Sequence, residues 1–174
     1  MDEDDELQRM GRVECNVLVP KEEAGGFRCV LANFGGPVSV TKPSRAMVIQ
    51  LQDPYGCKRS IEDVPPSKTI RGKIHPFAVL VDRGKCYFHE KAKLAQDMGA
   101  SFLIVANSQR RPAEKMAGPT QEPMASQVRR IKIPSLMVGS SDGLWLRNLV
   151  SLNTTLVSFY SKSSKFSRIL PYII

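Results

Sequence analysis

Cys86 and His89 lie three residues apart, the arrangement in which a thiol could be paired with an imidazole base. Nucleophilic catalysis needs more than that spacing. The thiolate must be aligned on its base and the base on a third, orienting group, and His75 and His89 are the only imidazoles in the chain. Glu62, Asp63 and Asp82 have no recognisable acid–base partner, and the sequence contains no glycine-rich phosphate loop and no nucleophile elbow. Metal chemistry is equally poorly supplied: Cys86-x-x-His89 is half a site at best, with no C-x2-C and no paired histidines. The expectation is therefore a chain with no catalytic residues, no metal and no cofactor. What remains at this position is Arg83-Gly84-Lys85-Cys86-Tyr87, a polar turn. Gly84 would let a ligand approach the backbone closely, and Arg83 would offer a fork of donors to a carbonyl or carboxylate. A salt bridge that locks the turn would account for Arg83 equally well.

The elements around the turn follow from hydropathy. Phe77 to Val81 is an uninterrupted apolar run of strand length, and Asp82 to Lys85 stops it. Phe88, Ala92, Ala95 and Met98 recur at helical spacing, with Lys91 and Leu94 on the flanks, and Glu90, Lys93, Gln96 and Asp97 are read as facing water. Gly99 suits the helix end, and Phe102 to Ala106 is a second buried strand. Two buried strands joined by one helix predict a parallel pair with a crossover.

Elsewhere, Val13, Cys15 and Val17 alternate with polar residues as a half-exposed strand, Glu22 to Gly26 reads as a turn, and Arg28 to Ala32 and Met47 to Leu51 read as strands. Gln52 to Lys73 and Ser108 to Arg130, rich in Pro and polar residues, read as loops, of a length usually reserved for binding or disorder. Ile131 to Val138, containing Pro134, reads as a strand with an edge-like start. Ser141 and Asp142 are positioned to cap a helix carrying Leu144, Trp145, Asn148 and Leu149, and Thr154 to Tyr160 alternates as a final strand.

With 174 residues, 42% of them hydrophobic, the chain has material for one core. It carries a formal charge of +8, yet Asp2 to Glu6 are all acidic; without those five, 12 acids face 25 bases. We expect an acidic, disordered leader at 1–12, one folded domain at 13–160 and a basic-to-apolar tail at 161–174. The basic residues are scattered, with no interleaved aromatic platform, which argues against nucleic-acid binding and for a solvated surface or an acidic protein partner. No run of about 18 apolar residues is present to span a bilayer. The sequence also shows no signal-peptide pattern, so the targeting signal of a secretory chain would have been removed or would lie in a larger parent, which would also supply any membrane attachment. Asn153-Thr154-Thr155 is a glycosylation sequon, and the four cysteines, Cys15, Cys29, Cys57 and Cys86, form an even set that allows three pairings. Four buried free thiols in a reducing compartment is the competing reading.

The order of these motifs resembles the protease-associated domain family. Ala32-Asn33-Phe34-Gly35, then Arg83-Gly84-Lys85-Cys86-Tyr87-Phe88, Lys91-x-x-x-Ala95, Gly99-Ala100, a strand ending at Asn107, Ile133-Pro134, Gly139 and Asp142-Gly143 match it from about residue 13 to 160. The turn is similar to the cargo-binding turn of vacuolar sorting receptors, and Phe88 to Gln96 to the lumenal domains of signal-peptide-peptidase-like proteases. The resemblance implies an α/β fold of open-barrel, twisted β-sheets flanked by a few helices. It implies Cys57–Cys86 as a disulfide, with Cys15–Cys29 as the second candidate pair. It further implies a non-catalytic module of the secretory-pathway lumen (ER, Golgi, endosome or vacuole) or the cell exterior that binds a protein or peptide through Arg83, Gly84, Lys85, Cys86 and Tyr87. Lys85 stands where sorting receptors commonly carry an acid, which separates this chain from their cargo preference. The alternative is a structural spacer beside a protease, glycosidase or ubiquitin-ligase domain.

Overall fold

In the computed structural model, residues 12–66, 69–70 and 72–162 are described; the acidic segment 1–11 and the tail 163–174 lie outside them. The apolar runs form strands β7 (Phe77–Asp82) and β8 (Phe102–Ala106), paired in parallel from Ala78↔Phe102 to Asp82↔Ala106. Helix α1 (Phe88–Asp97) connects them. The remaining strands are β1 (Arg12–Val19), β2 (Gly25–Phe27), β3 (Cys29–Leu31), β4 (Ser44–Gln50), β5 (Thr69–Ile70), β6 (Lys73–Ile74), β9 (Ser135–Val138) and β10 (Leu156–Lys162). Helices α2 (Met124–Arg129) and α3 (Ser140–Leu152) complete the set.

Eight strands form one mixed sheet in the order β2-β1-β10-β4-β7-β8-β9-β3, while β5 and β6 make a separate two-stranded ribbon. The sheet is an α/β arrangement that curls without closing into a barrel. Its edge strands β2 and β3 are consecutive in the chain, separated by Arg28 alone, and Cys15 of β1 is bridged to Cys29 of β3. Strands β4, β7, β8 and β9 run parallel, so their C-terminal ends open along one rim.

The period-2 alternation of the central strands divides them between two cores. Ala78, Leu80, Phe102, Ile104, Leu136 and Val138 face one cluster, shared with Cys15, Val17, Phe27 and Phe159 and covered by Leu146 and Leu149 of α3. Phe77, Val79, Val81, Leu103, Val105 and Met137 face the other, against Ala92, Ala95 and Met98 of α1. Helix α3 approaches β8 closely because Gly143 has no side chain; a Cβ there would sit 2.5 Å from that of Ala106.

The structure departs from the sequence reading in particular places. β9 is interior, flanked by β8 and β3, and Pro134 precedes it, where a missing N–H costs nothing and its carbonyl accepts from Leu103. The segment 108–130 is not wholly loop, because α2 occupies its last turns, and the segment 52–73 ends in the β5–β6 ribbon. Gly139, not Ser141 or Asp142, caps α3, whose buried face is Gly143, Leu146 and Leu149; Leu144 is exposed. On α1, Lys91 is not a flanking residue but is 1% exposed.

Candidate functional site

The rim begins where β7 ends. The Asp82 N–H donates to the Pro54 carbonyl and the Arg83 N–H to that of Ala106, after which the chain reverses through Gly84 (φ +124°) and Lys85 (φ +70°). Gly84 is required here: its backbone lies in a region that L side chains avoid, and a Cβ would lie 3.3 Å from the Tyr55 ring. Cys86 then donates its N–H to Gly84, and the Glu90 carboxylate accepts the Tyr87 N–H to start α1.

Two ties fasten this turn to the loop after β4, which is itself braced from within. Cys57 and Cys86 are joined by a disulfide across a Cα separation of 5.9 Å. Asp53 orders the opposing loop by accepting the N–H groups of Tyr55, Cys57 and Lys58 at 2.9–3.0 Å. Desolvation raises the Asp53 pKa, but those three hydrogen bonds and the charge of Lys91 together hold it below the usual carboxylate range. The second tie is Lys91, whose Nζ donates to the carbonyls of Tyr55 (2.6 Å) and Gly84 (2.7 Å), one on each side of the disulfide. Burial pushes the Lys91 pKa down to about 8, against the opposing pull of Asp53, Asp82 and Glu90. The Tyr55 ring lies 5.1 Å from the Lys85 ammonium and 5.8 Å from that of Lys91.

The proposed ligand residues are unequally available. Lys85 and Tyr87 are exposed, and Tyr87 stacks on the buried ring of His89. Arg83 is partly buried and occupied: it donates to Asn107 Oδ1 at 3.1 Å, faces Glu114 at 3.4 Å and lies over the Phe88 ring. Cys86 carries no thiol, since none of the four cysteines is free. Phe88 is partly buried and packs on the α1 core. Arg147 of α3 braces the rim from the other face, pairing with Asp82 at 2.7 Å and reaching Gln50 and Pro54. Asn153, at the far end of α3, is exposed.

Sequence reasoning missed Tyr55, Asp53, Lys91, Glu114 and Arg147. The one available signal was Lys91 itself, a charge set between Phe88 and Ala95 on a face that is otherwise apolar. Among the described residues, no cluster of three metal-ligating side chains occurs, and no helix is long and apolar enough to cross a membrane.

Comparison with known proteins gives a consistent picture. A family model for the PA domain matches residues 40–146. The chain is 34% identical over 136 residues to vacuolar-sorting receptor 2 of Arabidopsis thaliana, covering 78% of this chain and 22% of the receptor. It is 28% identical over 150 residues to signal peptide peptidase-like 4 of Oryza sativa subsp. japonica, covering 86% of this chain and 25% of that protein. The chain thus spans only about a quarter or less of these relatives. Among solved structures, a zinc aminopeptidase from Bacillus subtilis superposes with a TM-score of 0.56 at 16% identity, over 87% of this chain and 31% of the enzyme, a likeness of fold.

Proposed function

The chain belongs to the PA domain family, and on that premise we propose that it is a non-catalytic recognition module whose Gly84–Tyr87 rim receives a protein or peptide ligand. The observation that carries this reading is the fastening of the turn by the Cys57–Cys86 bridge and by Lys91, which leaves Lys85 and Tyr87 exposed on a rigid support. Preorganisation of this kind reduces the ordering cost of binding, and the C-terminal rim of parallel strands is where α/β sheets commonly hold ligands. The similarity to vacuolar-sorting receptors supports a protein ligand. Arg83 acts mainly by holding the turn against Asn107 and Glu114, with one edge left for a ligand. Two disulfides fit an oxidising compartment, and we assign the domain to the secretory-pathway lumen or the cell exterior, with Asn153 available for glycosylation. No turnover is ascribed to it: a bridged Cys86 has no thiolate with which to attack.

A peptide library presented to the purified domain tests the proposal. Selected peptides should bind at least about tenfold more weakly to a Lys85→Ala/Tyr87→Ala variant whose melting is unchanged. A second reading, a spacer that positions a neighbouring domain, is favoured by the engagement of Arg83 within the fold. It predicts that no peptide distinguishes variant from wild type.

A further inference from the structure

A second concavity opens on the same rim, beyond β8 and β9. It encloses about 350 Å³ and is walled by Arg28 from the β2–β3 link, Arg110 and Arg111 from the loop after β8, and the first turn of α3 through Asp142. The walls are fixed: the Ser140 N–H donates to the Arg111 carbonyl, and the Asn107 amide to that of Pro112. Three arginines therefore line the cleft with a single acidic residue, Asp142. Among the described residues, neither Arg28 nor Arg110 has an ion-pair partner, and Arg111 has only a loose one, Glu114 at 3.8 Å. Glu114 also faces Arg83, so one carboxylate is shared between the turn and the edge of the cleft. Like charges converging on one cleft repel unless an anion lies among them, and guanidinium forks match carboxylates in geometry.

We propose that the Arg28–Arg110–Arg111 cleft is an anion subsite that takes carboxylates of a peptide ligand. The inference rests on the peptide-binding reading of the rim and adds its chemical class. A ligand lying along the rim would meet Lys85 and Tyr87 at one point and place an acidic segment in the cleft.

The test is fluorescence anisotropy with a labelled, amidated octapeptide alternating Glu and Ser, against the same peptide with Gln for Glu. The Glu peptide should bind at least about tenfold more tightly, and its binding should weaken as salt rises from about 50 to about 200 mM. Arg28→Gln/Arg110→Gln should abolish that preference without changing the melting curve, because both side chains are exposed. Equal binding of the two peptides, or an unaffected double variant, overturns the proposal. A free C-terminal carboxylate that restores binding to the Gln peptide, but not in the double variant, supports the subsite and identifies the terminal group as its occupant. Lys85→Ala/Tyr87→Ala in the same titration separates the two readings. If only this pair matters, the subsite fails alone; if only the arginines matter, the turn reading fails alone.

Discussion

The two disulfides occupy contrasting surroundings. Cys15 and Cys29 are both buried, within the core cluster of Val17, Phe27 and Phe159, and they join β1 to the far edge strand of the sheet. Cys57 and Cys86 are only partly buried and join two connecting segments at the rim, with a lysine beneath them. Chain entropy alone ranks them by loop length: separations of 14 and 29 residues correspond to about 3 and about 3.6 kcal/mol. Packing reverses that order, because loss of the first bridge also leaves unfilled space among fully buried side chains. One bridge maintains the fold and the other maintains a surface.

Removing the inner bridge should therefore have the largest effect. Cys15→Ala/Cys29→Ala is expected to lose more than about 4 kcal/mol in urea unfolding, with the core gap added to the chain-entropy loss. Cys57→Ser/Cys86→Ser should lose about 2–4 kcal/mol, keep a cooperative transition and lose peptide binding. A larger loss for the outer pair would overturn the comparison. Lys91→Met comes next, at about 1–3 kcal/mol, because the Tyr55 carbonyl is left without a donor and the Gly84 carbonyl keeps only the Cys86 N–H.

The same residue sets a pH signature. Its folded pKa of about 8 lies below the ordinary 10.5, so the unfolded chain binds more protons between those values. Stability from Lys91 should rise as the pH climbs through that window, and the penalty is complete below it. Urea midpoints at either end of the window should show the rise in wild type and its absence in Lys91→Met. Gly84→Ala should cost about 1–2 kcal/mol, through backbone strain and crowding of Tyr55, and should weaken binding more than stability. The smallest change belongs to Lys93→Ala on the exposed face of α1. Its ion pair with Asp97 is worth no more than about 0.5 kcal/mol.

The central strands and α1 were legible because their apolar residues repeat with the period of the element that buries them. Phe77 to Val81 and Phe102 to Ala106 left little alternative. β9 was recognised as a strand but misplaced, since Pro134 suggests an edge until its position one residue outside the ladder is seen. α2 was hidden because six residues after Glu122-Pro123 carry too short a period to read. At the site, the turn stood out through its residue types, but the side chains that govern it did not. Lys91 belongs in water by type, and what reverses that assignment is a pair of carbonyls, one of them 36 residues away in the chain. Arg83 likewise owes its orientation to Asn107 and Glu114, more than 20 residues distant.

The sheet margins bear on how a partner can bind at all. Both outermost strands are three residues long and follow one another directly, so neither border offers the extended row of unsatisfied amides that strand addition needs. A ligand of the kind proposed for the rim would then be read through its side chains and termini, not by extending the ladder.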